Sequence, residues 1–166
     1  MDYLESILLG IIQGLTEFLP ISSSGHIEIF KVFIGSEFSN TESLLFTIIL
    51  HFATALSTIF YFRIEIMEIF TGLISKNPNK IKFSVYILIS MIPAVLIGFF
   101  FEEKIDDLFN GNLLLVGLML IITGIFLLIT DFSNSKQTEL NKKNSFFIGL
   151  AQAIAILPGI SRSGAT

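Results

Sequence analysis

Two short polar runs interrupt an otherwise apolar sequence, and they hold most of its chemically competent side chains. The first is Gln13-Gly-Leu-Thr-Glu-Phe-Leu-Pro-Ile-Ser-Ser-Ser-Gly-His26. Gln13 and Glu17 stand four residues apart, on one face of a helix. Glu17 offers a general base or a hard oxygen ligand for Mg2+ or Ca2+. Ser22, Ser23, Ser24 and Gly25 follow Pro20 and directly precede a helix, where hydroxyls and free backbone N–H groups form an anion site suited to phosphate. His26 titrates near neutrality and can donate or accept a proton. The second run is Gln152-Ala-Ile-Ala-Ile-Leu-Pro-Gly-Ile-Ser-Arg-Ser-Gly-Ala-Thr166. Here Arg162, between Ser161 and Ser163, can hold phosphate oxygens bidentately. Carboxylate, imidazole, hydroxyls and guanidinium together supply the positioning and charge neutralisation that cleavage of a phosphate ester or anhydride needs.

The two runs are copies. At one fixed offset they share Gly10/Gly149, Gln13/Gln152, Ile21/Ile160, Ser22/Ser161, Ser24/Ser163 and Gly25/Gly164. A repeated Ser-x-Ser-Gly with a proline just before it, in a lipid-soluble chain, indicates broken helices lining a polar cavity. Ionisable groups at membrane depth are costly and are retained for function. Glu17 and Arg162 are therefore read as functional. The serines alone would be weak evidence, since serine is common between membrane helices. His51 lies in a span outside either motif and is read as an interhelical hydrogen-bonding group rather than a catalytic one. Pro93 is expected only to kink its helix.

Composition places these motifs in a membrane. The chain is 52% hydrophobic with 18 Phe and only 14% charged residues, and its mean hydropathy is +0.79. Its 166 residues suit a single domain. Zero Cys excludes disulfides, thiolate chemistry and a zinc–cysteine site. A formal charge of -4 argues against nucleic acid as a partner. The Met-Asp-Tyr-Leu-Glu start lacks a positive run, so no cleavable signal peptide is expected.

Three stretches, 44–62, 84–101 and 113–130, are long and apolar enough to span a bilayer. Basic residues orient their connections. The 63–82 loop carries Arg63, Lys76, Lys80 and Lys82 and should be cytoplasmic, as should 131–144 with Lys136, Lys142 and Lys143. The acidic 102–112 loop and the 36–43 connection, which has no Lys or Arg, should be external. In residues 1–35, two apolar helical arms, Leu4–Leu19 and Ile27–Ile34, flank the break at 20–25. They describe a re-entrant hairpin, preferred to a single kinked span because irregular backbone is tolerated only against a cavity or protein. Three crossings then bring the second motif, in 145–166, in from the opposite face. The expected fold is an all-α polytopic integral membrane protein, one domain over 1–166, with re-entrant broken helices and an inverted-topology repeat. The chain is expected to be one repeat plus the opening of the next, part of a longer protein.

The first motif, from Gln13 to His26, resembles the first signature of the bacterial undecaprenyl-diphosphate phosphatases, the bacitracin-resistance family. Pro158-Gly-Ile-Ser-Arg-Ser-Gly-Ala-Thr166 resembles the second signature, and Met91-Ile-Pro-Ala-Val95 and the hydropathy pattern also match. The resemblance implies a bacterial plasma-membrane enzyme that hydrolyses undecaprenyl diphosphate to undecaprenyl phosphate, recycling the lipid carrier of cell-wall synthesis. It also implies dependence on a divalent cation, Mg2+ or Ca2+, and an outward-opening active site. By position, Glu17, His26 and Arg162 match the family's catalytic and phosphate-binding residues, with Ser23 and Ser161 as candidate hydroxyls. Gln13, Ser22, Ser24, Gly25, Ser163 and Thr166 complete the expected substrate site. The family carries Glu or Gln where this chain has Gln13, so no second negative charge is supplied there; Glu17 is the candidate metal ligand. Either a serine or a water activated by Glu17 and His26 could attack phosphorus.

The expected partners are a polyprenyl diphosphate and membrane lipids, with further copies of the chain as an option. The competing reading is a flippase or transporter of a phosphorylated polyprenyl lipid, since broken helices in inverted repeats also serve carriers. A carrier would need Arg162 and the serines, but no general base at Glu17 or His26. The third reading is a piece that neither binds nor cleaves.

Overall fold

The computed structural model describes residues 3–35, 40–101, 105, 112–132 and 139–166. The described residues form eight helices and no strand: α1 (Tyr3–Thr16), α2 (Ser23–Ile34), α3 (Asn40–Tyr61), α4 (Arg63–Ile74), α5 (Pro78–Phe100), α6 (Leu113–Phe132), α7 (Lys142–Ile154) and α8 (Arg162–Ala165). Large apolar side chains such as Phe52, Phe99, Leu114 and Ile121 point outward from the bundle. An outer surface of this kind is solvated by lipid tails rather than water. The chain is a polytopic membrane protein.

Local chemistry sets the breaks. α1 ends at Thr16, ahead of Pro20, and Thr16 turns its hydroxyl back to Ile12 O at 2.7 Å. α2 starts at Ser23, four residues earlier than the apolar pattern indicated. Its N-cap Ser22 accepts a hydrogen bond from Gly25 N, and Gly35 closes it in the left-handed conformation. α1 and α2 pack against each other across the break, and α3 packs on α1. Leu9, Ile27 and Leu50, one from each of these helices, form the buried cluster, flanked by Phe30, Ile34 and Phe46. Beside it, Lys31 Nζ donates to Glu28 Oε1 at 2.8 Å and to Thr47 Oγ1 at 3.0 Å. This pair neutralises two charges that would otherwise be stranded in an apolar interior.

Residues 63–82, expected to be a cytoplasmic loop, are instead largely helical. Arg63–Ile74 is helical, and α5 already begins at Pro78 behind an Asn77 cap. α5 and α6 each have the length and apolarity to cross a membrane, whereas Leu45–Tyr61 meets that standard only together with α4, which is bent from it by 73°. The charges of α4 were misleading because a helix accommodates them on an exposed face. Arg63 sits at the break itself, donating to Phe60 O at 2.8 Å and covering the Phe60 ring at 4.8 Å. Of the expected connections, 102–112 lies almost wholly outside the described residues, while 36–43 is already helical from Asn40 and 131–144 is helical up to Phe132 and from Lys142, with 133–138 outside them.

The second motif is carried by α7 and α8. α7 packs extensively on α5, where Gly149 lies against Ser90 O and the Pro93 ring with no room for a Cβ. Small residues permit such close approach between membrane helices. Pro93 thus receives α7, beyond the kinking role expected of it.

Candidate active site

The breaks of the two repeats touch. A Cβ on Gly25 would lie 3.0 Å from Gly159 Cα, and one on Gly164 would lie 3.3 Å from Pro20 O. Gly164 occupies in the second copy the place of Gly25 in the first, and Gly159 that of Pro20. Each contact is therefore the counterpart of the other, the pattern a local two-fold relation produces. The capping repeats as well. Ser22 Oγ accepts from Gly25 N at 3.4 Å and lies 3.3 Å from Ser24 Oγ. Ser161 Oγ accepts from Gly164 N at 3.2 Å and lies 3.2 Å from Ser163 Oγ.

The copies share geometry and divide the chemistry. Glu17, Ser23 and His26 have Ile156, Arg162 and Ala165 as their counterparts. Glu17 is the hub. Its Oε2 accepts from Ser23 Oγ at 2.5 Å and from Gln13 Nε2 at 3.0 Å, while Oε1 accepts from Arg162 Nη2 at 3.2 Å. Ser23 is buried, whereas the Arg162 side chain is 59% exposed. Ser22 reaches its capping position with φ 66°, a left-handed conformation that costs a serine about 1–3 kcal/mol. Ser161, its counterpart, has φ −79°. Strain is concentrated on the break that delivers Ser23.

The other expected residues lie at varying distance from this hub. His26 Nδ1 donates to Ser22 O at 2.8 Å, since a carbonyl only accepts; in the neutral ring Nε2 then carries the lone pair. No described hydrogen bond joins His26 to Glu17. Ser22 and Ser161 spend their hydroxyls on capping. Ser24 and Ser163 bond to those caps, and Thr166 donates back to Arg162 O at 3.0 Å. Among the described residues no group of three or more His, Asp or Glu side chains gathers as a metal cage.

Three residues outside the motifs support the site. Thr123 of α6, almost fully buried, donates to Gly159 O at 2.8 Å and accepts from Ser161 N at 3.0 Å. It fixes the turn in which Gly159 has φ 97°. His51 and Thr54 of α3 reach Gln13 Nε2 at 2.7 and 3.5 Å. The interhelical role expected of His51 is what the geometry shows. Thr123 and Thr54 left no sequence signal beyond being hydroxyls in apolar helices.

Residues 6–166 match the model of the family described as bacitracin resistance protein BacA. The chain belongs to the bacitracin resistance protein BacA family. It is 54% identical over its whole length to the undecaprenyl-diphosphatase of Christiangramia forsetii, covering 63% of that protein. It is 45% identical to the undecaprenyl-diphosphatase of Parabacteroides distasonis, covering 62% of it. With that of Methanococcus vannielii it shares 42% identity over 98% of this chain and 65% of the relative. The chain thus spans less than two thirds of the length of these BacA-family relatives.

Proposed function

We propose that the full-length protein hydrolyses undecaprenyl diphosphate to undecaprenyl phosphate and inorganic phosphate. In this reading it works in the bacterial plasma membrane from a site open to the outside, recycles the lipid carrier of peptidoglycan synthesis and confers bacitracin resistance. The observation that carries the proposal is Ser23–Glu17–Arg162: a hydroxyl, a base in hydrogen-bond contact with it, and a guanidinium beside the same carboxylate. The names of the BacA-family relatives support the substrate.

The chemistry follows from these contacts. Glu17 Oε2 is placed to take the Ser23 proton, or that of a water in the same place, as the oxygen attacks the terminal phosphorus. The P–O bond to the bridging oxygen breaks, and the prenyl phosphate leaves with the electron pair. Arg162 exchanges Glu17 for phosphate oxygens and neutralises the charge that develops there. His26 Nε2, with Nδ1 anchored on Ser22 O, is the remaining proton-transfer group. Attack by Ser23 would require a second step in which water releases the phosphate.

A divalent cation, Mg2+ or Ca2+, belongs to the same proposal. The Glu17 carboxylate and Gln13 Oε1, which is buried without a hydrogen-bond partner among the described residues, are the hard oxygens that fit it. They form only part of a ligand shell, as is usual for Mg2+, which takes further oxygens from substrate phosphates and water. When bound, the cation would neutralise charge on the diphosphate.

The test is purified full-length protein in detergent with polyprenyl diphosphate labelled at the terminal phosphate, with and without Mg2+ or Ca2+. Release of one labelled phosphate per lipid supports the proposal. Movement of uncleaved lipid across a proteoliposome membrane, with no phosphate released, would establish the carrier instead.

A further inference from the structure

Gln13 is 1% exposed and sits between two helices, yet its amide is used from one end only. Nε2 lies 3.0 Å from Glu17 Oε2 and 2.7 Å from His51 Nδ1, with Thr54 Oγ1 more distant at 3.5 Å. Oε1 is buried and has no hydrogen-bond partner among the described residues. The orientation follows from the partner: an ionised carboxylate only accepts, so Gln13 must present its NH2 group to Glu17. The two amide protons then meet two close acceptors, Glu17 Oε2 and His51 Nδ1. His51 must accept at Nδ1, and its neutral ring carries the proton on Nε2.

We propose that His51 is a positioning residue of the site, acting through the Gln13 amide to fix the Glu17 carboxylate. Two hydrogen bonds of fixed polarity hold the amide against turning over. Were His51 Nδ1 absent, one buried N–H would lose its close acceptor, and the amide would be held only through its bond to Glu17 Oε2. Swinging about that single bond, it would no longer fix the carboxylate on Ser23. The device joins two helices and a turn: α1 carries Gln13, α3 carries His51, and Glu17 lies in the turn after α1. The buried Leu9–Leu50 contact region holds α1 and α3 together, with Leu9 one turn before Gln13 and Leu50 next to His51 in sequence. His51 Nδ1 itself stands 3.9 Å from Glu17 Oε2, too far for a direct bond.

The kinetic part of the test rests on the phosphatase reading; a spectroscopic part does not. Phosphate release from labelled polyprenyl diphosphate is measured for the full-length protein and for His51→Leu, His51→Gln, Gln13→Leu and the His51→Leu/Gln13→Leu double variant. His51→Leu should lower kcat about 10–100-fold, the usual loss for a residue that orients a reacting group from behind, with KM little changed. His51→Gln, whose amide oxygen can accept from Gln13, should recover most of that loss. In the Gln13→Leu background His51→Leu should add almost nothing, since both act through one contact. Equal impairment of His51→Gln and His51→Leu, or full additivity with Gln13→Leu, would overturn the proposal. Independently of turnover, the 15N shifts of the His51 ring should show Nδ1 without a proton and Nε2 protonated. A proton on Nδ1 would overturn it even in a protein that releases no phosphate, whereas absence of phosphate release with the expected tautomer counts against the phosphatase alone.

Discussion

Arg162 and Glu17, 145 residues apart in sequence, meet at 3.2 Å and join the two repeats through their charged groups. The guanidinium is 59% exposed and the carboxylate 21%. In the proposed reaction a diphosphate takes the place of Glu17 on Arg162, offering two oxygens to the guanidinium fork. Arg162→Lys keeps the charge and loses the planar fork. We expect Arg162→Lys to lower kcat and kcat/KM together, and Arg162→Ala to lower both further. A rise in KM alone, read from steady-state phosphate release, would make Arg162 a docking group for the ground state.

Thr123→Val tests how the second break is held. The substitution keeps the shape and strands two buried backbone groups, Gly159 O and Ser161 N. Each such group costs about 1–3 kcal/mol. The thermal unfolding temperature in detergent should fall, and turnover with it, while Thr123→Ser should stay close to the parent in both.

The contact between the breaks can be pried apart at one atom. On Gly25 an added methyl meets Gly159 Cα at 3.0 Å and Leu120 Cδ2 at 3.1 Å, whereas on Gly14 it meets nothing within 4 Å. Gly25→Ala should lose most phosphate release. Gly14→Ala should leave it intact and stabilise α1 by up to about 1 kcal/mol. Loss of turnover in both would show that activity does not report on this contact.

Orientation is open to a labelling test. Cysteines replacing Lys80 and Lys142 should react with a membrane-impermeant reagent only after cells are opened, and one replacing Glu103 should react in intact cells. External labelling at position 80 would remove the inverted arrangement.

What the sequence made legible follows from cost. Glu17 and Arg162 stood out because charge in an apolar run is expensive, and the repeated Ser-x-Ser-Gly showed where helices break. The bend after Tyr61 was hidden, because Arg63, Glu65 and Glu68 mark a loop and an exposed helical face equally well. Thr123 and Thr54 were silent for another reason. A threonine in a membrane helix can satisfy itself on its own backbone, as Thr54 does towards His51 O at 2.9 Å, and only the packed structure shows a second partner. His51 was recognised as an interhelical group, but its partner lies 38 positions away, a separation that no local pattern encodes.

The central claim is that the two motifs form one hydrolytic site, and a double-mutant cycle at its two charges tests it most directly. Glu17→Gln keeps the shape and removes the base, and should lower kcat about 10²–10⁴-fold. Phosphate release from labelled undecaprenyl diphosphate should be measured for full-length protein carrying Glu17→Gln, Arg162→Ala and both. If Glu17 and Arg162 act on the same phosphate, the double variant should be far less impaired than the product of the two single losses. Near-normal turnover in Glu17→Gln, or losses that multiply in full, would contradict a single shared site.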